Sequence, residues 1–286
     1  MKKIIKSFFM LSALTATNIN AHDDRFKNVV IEPVKITQNA YMFTGAGGNI
    51  GVSAGKDGLL IIDDQFAPLA EKVAKALEDI QSGHPRFVIN THYHGDHTGG
   101  NAHFGQHGTI MAHHNVLKRL SADPKVSPEA LPVITYDQGI SIHYNDDTLD
   151  VIHLGAGHTD GDSIVLWRDK SVVHMGDLFF RDRFPYVDLD AGGTVKGYRD
   201  HVATVLGMIK NDTKIIPGHG ALATKADLMT FKRMLDESID WMQSSIDKRM
   251  TLSEIKTQGV PKEWKDWGWQ FISEDRWIDT LYQDLS

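Results

Sequence analysis

The sequence predicts an α/β fold in which helices cover mixed β-sheets, and three features of the 286-residue chain support this prediction. Short apolar runs bounded by Gly, Asp and Asn recur along the chain, as is typical of strands. Segments with apolar residues at helical spacing lie between the later runs. The early runs instead follow one another as hairpins, so the strands cannot all be parallel.

The predicted strands are apolar runs that end at turn residues. They are Val29–Val34, Tyr41–Thr44, Ile50–Ser53, Leu59–Asp63, Phe87–Asn90, Thr109–Ala112, Ile140–Tyr144, Leu149–Leu154, Ser163–Trp167, Val172–Met175 and Lys214–Ile216. Three helices are predicted where apolar residues recur every three or four positions. These helices are Ala67–Ile80, Lys196–Ile209 and Lys225–Lys248.

The N-terminus has the pattern of a secretory signal peptide. Lys2, Lys3 and Lys6 form a positively charged start, and Ser7–Ile19 is mostly apolar. The small residue Ala21 is the predicted last residue of this leader, residues 1–21. The apolar run is too short and too interrupted for a membrane-spanning helix, with an uncleaved anchor as the alternative. We therefore expect a periplasmic or secreted protein that contacts no membrane after the leader is removed.

The remaining residues, 22–286, are predicted to form a single domain because no Pro-, Gly- or Ser-rich linker divides them. Removal of the leader takes away three positive charges and no negative one, so the net charge moves from −7 to −10. An acidic protein lacks the basic face that binds a phosphate backbone, so no nucleic-acid partner is expected. The chain has no Cys, which excludes thiolate ligands and cysteine nucleophiles. A small-molecule substrate is the expected partner, and the oligomeric state stays open.

The segment from residue 92 to residue 100 carries the strongest chemical signal in the chain. Its ligand-type residues are His92, His94, Asp96 and His97. In an extended segment His92 and His94 point to the same side, and Gly95 then allows the backbone to turn toward a helix start. Imidazole nitrogens and carboxylate oxygens are the ligands that zinc takes when thiolates are absent. The sequence therefore predicts a metal site at the end of the strand Phe87–Asn90.

Three further blocks place a ligand-type residue next to a glycine at the end of an apolar run. These residues are His158, Asp177 and His219. Loops at the ends of strands can bring residues that are distant in sequence into one site on a rigid scaffold. We therefore expect the four blocks to supply one metal centre.

With these four blocks in this order, the chain resembles the metallo-β-lactamase superfamily of metallohydrolases over residues 29–220. The resemblance implies a four-layer αββα sandwich with two metal ions, expected to be Zn²⁺, at one edge between the two sheets. The implied ligands of the first ion are His92, His94 and His158, and those of the second are Asp96, His97 and His219. Asp177 would bridge both ions. Asp63 matches a family position that supports the site by fixing the tautomer of a ligand histidine, although it could instead cap the turn that follows.

The resemblance also implies a zinc-dependent hydrolase. Two zinc ions roughly 3.5–4 Å apart lower the pKa of a shared water toward 7, and the resulting hydroxide attacks a carbonyl carbon. Asp96 is the candidate catalytic residue, because its carboxylate could orient the hydroxide and shuttle its proton. The predicted substrate is a β-lactam or a similar cyclic amide or ester. A serine mechanism is not supported, because the Gly-x-Ser-x-Gly match at residues 51–55 lies in a predicted hairpin and not at a strand-to-helix turn.

Two positions distinguish the chain from broad-spectrum β-lactamases of the superfamily. Those enzymes often have Cys at the bridge and Lys three residues later, where this chain has Asp177 and Phe180. Arg181 or Arg183 could supply the missing positive charge, with two surface residues as the equal alternative. A lactonase or a thioesterase of the same fold, in which an Asp bridge is usual, is therefore an alternative function. An iron-containing persulfide dioxygenase would share part of the ligand set, and a non-enzymatic periplasmic zinc-binding module would use it only to hold metal.

Two features outside the four blocks bear on the site. The hairpin Tyr41–Ser53 could form a flap with Gly45–Gly48 at its tip, or be a simple tight hairpin. Residues 250–286 hold four of the six tryptophans, which we expect to pack on the domain and not to bind a ligand. These are Trp264, Trp267, Trp269 and Trp277. The histidines outside the four blocks are expected to be surface or packing residues, with support of the site as the alternative for His174.

Overall fold

The computed structural model describes residues 24–286, which form two β-sheets flanked by helices. The predicted leader, residues 1–21, lies outside the described residues. None of the helices within residues 24–286 is both long and apolar enough to cross a membrane.

The first sheet has seven strands, which lie side by side in chain order. The strands are β1 (Glu32–Lys35), β2 (Ala40–Thr44), β3 (Ile50–Gly55), β4 (Gly58–Ile62), β5 (Pro85–Asn90), β6 (Thr109–His113) and β7 (Ile134–Tyr136). β1 to β4 pair antiparallel as hairpins, whereas β4 to β7 pair parallel. The parallel connections carry α1 (Ala70–Glu78), α2 (Gly95–Thr98), α3 (Asn101–Phe104) and α4 (His114–Ala122).

The second sheet has six strands in the order β13-β12-β11-β10-β9-β8. The strands are β8 (Gly139–Tyr144), β9 (Asp147–His153), β10 (Ser163–Trp167), β11 (Val172–His174), β12 (Lys214–Ile216) and β13 (Ala223–Thr224). All pairs are antiparallel except β11 with β12. The helices of this half are α5 (Val195–Met208), α6 (Lys225–Asp247), α7 (Leu252–Gln258) and α8 (Glu274–Leu285).

Three hydrophobic cores separate four layers, which confirms the predicted αββα sandwich. Successive side chains of a strand point to opposite faces of its sheet. Ile61 of β4 therefore packs with Val73 of α1, while its neighbour Leu60 packs with Val165 of β10 between the sheets. Ile164, next to Val165, faces the third core under α5, α6 and α8.

The sequence predicted most strands and three helices, α1, α5 and α6, close to their observed bounds, but it misplaced one strand and missed two short strands and several helices. Val29–Val34 was wrong in position, because β1 begins at Glu32 and Val30 is 69% exposed. β1 is an exposed edge strand, so its residues lack the apolar pattern that burial imposes on inner strands. β7 and β13 are only three and two residues long. α4, α7 and α8 lie on the outside and mix charged with apolar residues.

Candidate metal centre

All seven predicted ligand residues lie together at the edge where strands of both sheets end. The first sheet delivers four of them: His92 follows β5, His94 precedes α2, and α2 contains Asp96 and His97. The second sheet delivers three: His158 lies between β9 and β10, Asp177 follows β11, and His219 follows β12. The convergence that the sequence predicted is therefore present in the fold.

The seven side chains form two groups whose ligand-type atoms lie within 4.8 Å of one another in each group. The first group contains His92, His94, His158 and Asp177, and the second contains Asp96, His97 and His219. Within the first group, His158 Nε2 is 2.9 Å from His94 Nδ1. Within the second, His219 Nε2 is 3.4 Å from Asp96 Oδ2.

Asp177 lies between the two groups and turns one carboxylate oxygen toward each. Its Oδ2 is 3.5 Å from His158 Nε2 and 3.8 Å from His92 Nε2. Its Oδ1 is 3.0 Å from His97 Nε2 and 3.3 Å from His219 Nε2. A carboxylate in this position can bridge two cations.

The rings of the first group are oriented by acceptors on the side away from Asp177. His158 Nδ1 faces the carbonyl oxygen of Tyr186 at 2.7 Å, so Nδ1 carries the proton and the Nε2 lone pair points into the cluster. His94 has the opposite orientation, because its Nε2 donates to Asp188 Oδ2 at 2.9 Å and leaves Nδ1 toward the cluster. The hydroxyl of Tyr93 donates to the same Asp188 oxygen at 2.6 Å.

Asp63 holds His97 from behind, as the resemblance implied. Its Oδ2 accepts from His97 Nδ1 at 2.7 Å and from the Thr91 hydroxyl at 2.8 Å, while Oδ1 accepts from the Thr91 amide. Asp63 adopts a left-handed backbone conformation (φ 63°), which Asp tolerates better than most residues. This carboxylate fixes the tautomer that leaves His97 Nε2 toward Asp177.

His174 and Asp162 support the loops that carry ligand residues. His174 is buried, and its Nδ1 accepts from the amide of Gly176 at 3.1 Å in the turn that presents Asp177. Asp162 accepts from the Thr159 amide and hydroxyl, which fixes the loop beside His158. Burial raises the pKa of Asp162 to about 7, although these hydrogen bonds oppose the rise.

Three buried atoms of the cluster have no hydrogen-bond partner among the described residues. They are His92 Nε2, His97 Nε2 and Asp177 Oδ1. Although His97 Nε2 and Asp177 Oδ1 are 3.0 Å apart, their orientation does not meet hydrogen-bond geometry. Buried polar atoms are almost always satisfied, and these three belong to the set that a metal would use. The donor set therefore fits divalent metal ions, with imidazole and carboxylate ligands that suit zinc.

The electrostatics of the cluster also favour bound cations. Burial lowers the pKa of His158 to about 3 and that of His92 well below its usual value, so both rings are neutral, as metal ligands must be. Burial opposes a charge on His97 as well, but Asp177, Asp96 and Asp63 together raise its pKa. The negative charges of these carboxylates therefore favour a positive charge at the centre of the site.

The hairpin β2–β3 closes one side of the cluster with a glycine that leaves room for a ligand. A Cβ atom on Gly48 would lie 2.1 Å from Cε1 of His97, and the Gly48 amide donates to the Asp96 carbonyl at 3.2 Å. Gly45–Gly48 have no positive φ angles. Close packing against His97, and not an unusual backbone conformation, therefore requires glycine at position 48.

A cavity of about 1040 Å³ opens above the cluster. His94, Asp96, Asp177 and His219 line its floor, and the hairpin tip lines one wall. Trp269 and Phe271 line it as well, and Trp269 also packs against the third core, as predicted. Trp264 and Trp277 are buried in the third core, as predicted.

The sequence did not predict three residues near the site, Phe66, Tyr186 and Asp188, because each lies in an irregular loop with no strand-end or glycine signal.

Comparisons with known proteins agree with this fold. The sequence model of the metallo-beta-lactamase superfamily matches residues 43–219. A metallo-beta-lactamase from Pontibacter korlensis is 17% identical with a TM-score of 0.63, and the match covers 72% of this chain and 99% of that one. The metallo-beta-lactamase IND-7 is 18% identical with a TM-score of 0.63, covering 73% and 99%.

A second kind of hydrolase has the same fold. The sec-alkylsulfatase Pisa1 from Pseudomonas sp. is 14% identical with a TM-score of 0.70, and the match covers 88% of this chain but 50% of that one. No curated protein sequence matches the chain. At these identities the solved structures establish the fold that the chain shares with them.

Proposed function

The chain belongs to the metallo-beta-lactamase superfamily, and we propose that it is a zinc-dependent hydrolase of a β-lactam or a similar cyclic amide or ester. In this proposal His92, His94 and His158 hold one zinc ion, Asp96, His97 and His219 hold a second, and Asp177 bridges them. Removal of the leader would place the enzyme in the periplasm or outside the cell.

The observation that carries the proposal is the position of Asp177. Its two oxygens face two separate groups of ligand-type atoms at 3.0–3.8 Å, and three atoms of the set are buried without a hydrogen-bond partner among the described residues. A protein that held one structural metal would need neither the second group nor a cavity above it. Both are typical of a hydrolytic site that must admit substrate.

Bound zinc would supply the Lewis acidity that activates water and polarises the substrate carbonyl. Side chains of the protein would supply proton transfer and the orientation of the ligands. Asp96 lines the cavity with its side chain 21% exposed, so its Oδ2 can take the proton of an attacking water and pass it to the leaving group. Asp63 and Asp188 keep His97 and His94 in one orientation, which preserves the site geometry through the reaction.

A substrate panel on the zinc-loaded chain, with and without a chelator, tests this proposal. The panel contains a penicillin, a carbapenem, a lactone and a thioester. A secondary alkyl sulfate is added because one similar structure is a sec-alkylsulfatase. We expect turnover of at least one carbonyl substrate that the chelator abolishes. Asp177→Ala should lose most bound zinc and activity, whereas the surface variant Asp240→Asn should keep both. Full turnover in the presence of chelator would contradict the two-metal model.

The same panel separates the proposed hydrolase from the functions that compete with it. Preference for the lactone or thioester over both lactams would assign the chain to that class of hydrolase. One iron per chain and no zinc, measured by elemental analysis, would favour the persulfide dioxygenase. Two bound zinc ions without turnover of any substrate would favour the zinc-binding module.

A further inference from the structure

The cavity above the metal centre has an apolar, largely aromatic wall. The side chains that form this wall are Phe66, Phe180, Tyr186, Leu222, Trp269 and Phe271. Such a surface favours an apolar group of a ligand, because removing each CH₂ group from water is favourable. Cavities of this kind are also typical of small-molecule sites that add a few placed polar groups.

Two of these residues come from the C-terminal segment, which lies beyond residues 43–219 matched by the family model. This segment is fixed in place. The Trp269 indole Nε1 donates to the carbonyl of Phe184 at 2.9 Å, and the Phe184 amide donates to the carbonyl of Trp267 at 2.9 Å. The Trp269 ring is thus held over the cavity before any ligand arrives.

Arg183 is the single Lys or Arg among the described residues that line the cavity. Its guanidinium lies 5.1 Å above the Trp269 ring, and its Nε donates to the carbonyl of Arg181 at 3.3 Å. It forms no ion pair within residues 24–286, so its terminal N–H groups remain available for an acceptor. The Trp269 ring is in turn 6.3 Å from the ring of His219. The Trp269 indole ring therefore lies between the positive charge of Arg183 and the metal cluster.

Arg181, which could equally have supplied this charge, is used elsewhere. Its Nη1 donates to the Leu222 carbonyl, and its Nη2 is 3.3 Å from Asp227 Oδ1. It does not line the cavity. The acidic residues that line the cavity are Glu32, on the exposed edge strand β1, and Asp96 and Asp177, which belong to the metal centre. Arg183 is therefore the group in the cavity wall that can bind an anion.

We propose that the substrate is an amphiphilic anion: Arg183 binds its carboxylate or similar group, and Trp269 and Phe271 bind its apolar chain or ring. The inference rests on the proposed function, because the bond to be cleaved would lie at the metal cluster. A half-buried guanidinium with free N–H groups forms strong charge-assisted hydrogen bonds, and its stacking on Trp269 fixes their direction. Arg183 and Trp269 would then determine which substrates bind.

Binding of simple amphiphiles to the full chain, measured by calorimetry, tests the inference without requiring turnover. The probes are octanoate, decanoate and neutral 1-octanol. The chain is treated with chelator, so that a carboxylate cannot bind a metal ion. We expect decanoate to bind about tenfold more tightly than octanoate, because two more CH₂ groups are buried.

Variants separate the two parts of the site. Arg183→Gln should weaken octanoate binding about tenfold and 1-octanol binding less than twofold, because only the first loses a charge-assisted bond. Phe271→Ala should weaken both probes, and since Phe271 is 48% exposed, this variant should fold normally. The matched controls are Arg199→Gln, an arginine of α5 paired with Asp200, and Met229→Ala, an exposed apolar residue of α6. Neither should change binding.

Equal affinities for octanoate and decanoate, or unchanged octanoate binding by Arg183→Gln, would overturn the inference. The proposed function fails in a different way. If the proposed function is wrong, no substrate of the panel shows chelator-sensitive turnover, whereas decanoate still binds more tightly than octanoate.

Discussion

At the scale of single residues, three ligand histidines of the metal centre, His94, His97 and His158, are each oriented by an acceptor on the far side of the ring. Asp188 is the clearest case, because it accepts from both His94 Nε2 and the Tyr93 hydroxyl. Burial would raise the pKa of Asp188, but these two hydrogen bonds outweigh burial and lower it. The carboxylate is therefore ionised and holds His94 in the tautomer that can bind a metal through Nδ1.

Asp188→Asn should weaken zinc binding roughly 10–100-fold, the range typical of second hydrogen-bond partners of ligand histidines. The amide keeps the size of the carboxylate but removes the charge that holds the His94 proton. Competition with a chromophoric chelator measures the affinity. The control is Asp190→Asn, since Asp190 is an exposed neighbour on the same loop. Equal zinc affinity in the two variants would show that Asp188 does not position His94.

The sequence could predict Asp63 but not Asp188, for a physical reason. Asp63 ends a strand whose apolar pattern is visible, and its position relative to the His92 block resembles the family arrangement. Asp188 lies in the irregular segment between β11 and α5, where no periodicity fixes where a side chain points. The same reason explains why Tyr186 was missed and why Arg181 and Arg183 could not be distinguished before their partners were known.

At the scale of elements, the hairpin β2–β3 contacts the metal centre through a glycine that has no space for a side chain. Gly48→Ala would place Cβ 2.1 Å from the His97 ring, far inside van der Waals contact. Because His97 is held from behind by Asp63, the ring cannot shift without losing that hydrogen bond. We expect at least a tenfold loss of zinc affinity and a loss of about 1–3 kcal/mol in the free energy of unfolding.

The control for this substitution is Gly207→Ala in α5, where an added Cβ meets no atom within 4 Å. It should leave zinc binding unchanged and stabilise the protein by about 0.5–1 kcal/mol, because Ala is the better helix former. Zinc titrations and urea unfolding of both variants provide the comparison. Normal zinc affinity in Gly48→Ala would mean that the hairpin tip moves freely away from His97.

Elements were predictable where burial imposes a pattern and unpredictable where it does not. β4 and β10 are buried on both faces, so continuous apolar runs mark them in the sequence. The apolar residue Met229 of α6 is nevertheless 58% exposed, because the buried face of α6 follows Leu228, Phe231 and Leu235, and Met229 lies about 100° around the helix from Leu228. The C-terminal tryptophans pack as expected, but the sequence did not predict that Trp269 also lines the cavity, because its position depends on a contact with Phe184 that is distant in sequence.

At the scale of the whole molecule, the metal centre joins the two halves of the sandwich, since β5 belongs to one sheet and β9, β11 and β12 belong to the other. Ions bound across this edge would stabilise the folded state by mass action. Free zinc at 100 times its dissociation constant contributes about 2.7 kcal/mol. For a chain of this size, chelator should lower the melting temperature by roughly 5–10 °C.

Calorimetric melting with and without chelator measures this effect. In Asp177→Ala the chelator should make little difference, because the bridging carboxylate is gone, while Asp240→Asn should behave as the original chain does. An identical melting temperature of the original chain in both conditions would contradict zinc binding at this edge.

The sequence alone could not predict which layers meet across this edge, because contacts between two sheets leave no local periodicity in the sequence. Only the resemblance to the family predicted this arrangement.

A second histidine pair, away from the metal centre, makes the whole fold sensitive to acid. The ring of His113, which is 2% exposed, stacks on that of His153 at 3.8 Å. Burial and the neighbouring histidines lower the pKa of His113 to about 4, and burial lowers that of His153 as well. In the unfolded chain a histidine titrates near 6.5. As the pH falls from about 6.5 to about 4, these histidines therefore become protonated in the unfolded state but stay neutral in the folded state.

Stability contributed by His113 is thus fully present above pH 6.5 and is lost on acidification, by about 3 kcal/mol near pH 4. Urea unfolding of chelator-treated protein between pH 7 and pH 4 measures the loss without interference from metal release. His113→Asn should reduce the loss by a similar amount. Asn is a favourable N-cap, so its side-chain oxygen can replace His113 Nδ1 as the acceptor of the Asn115 amide at the start of α4. His84→Asn, an exposed histidine stacked on His107, should change the pH dependence little. If His113→Asn loses stability on acidification as steeply as the original chain, the buried pair is not the origin of the acid sensitivity, and the ligand histidines of the metal-free cluster become the groups to test next.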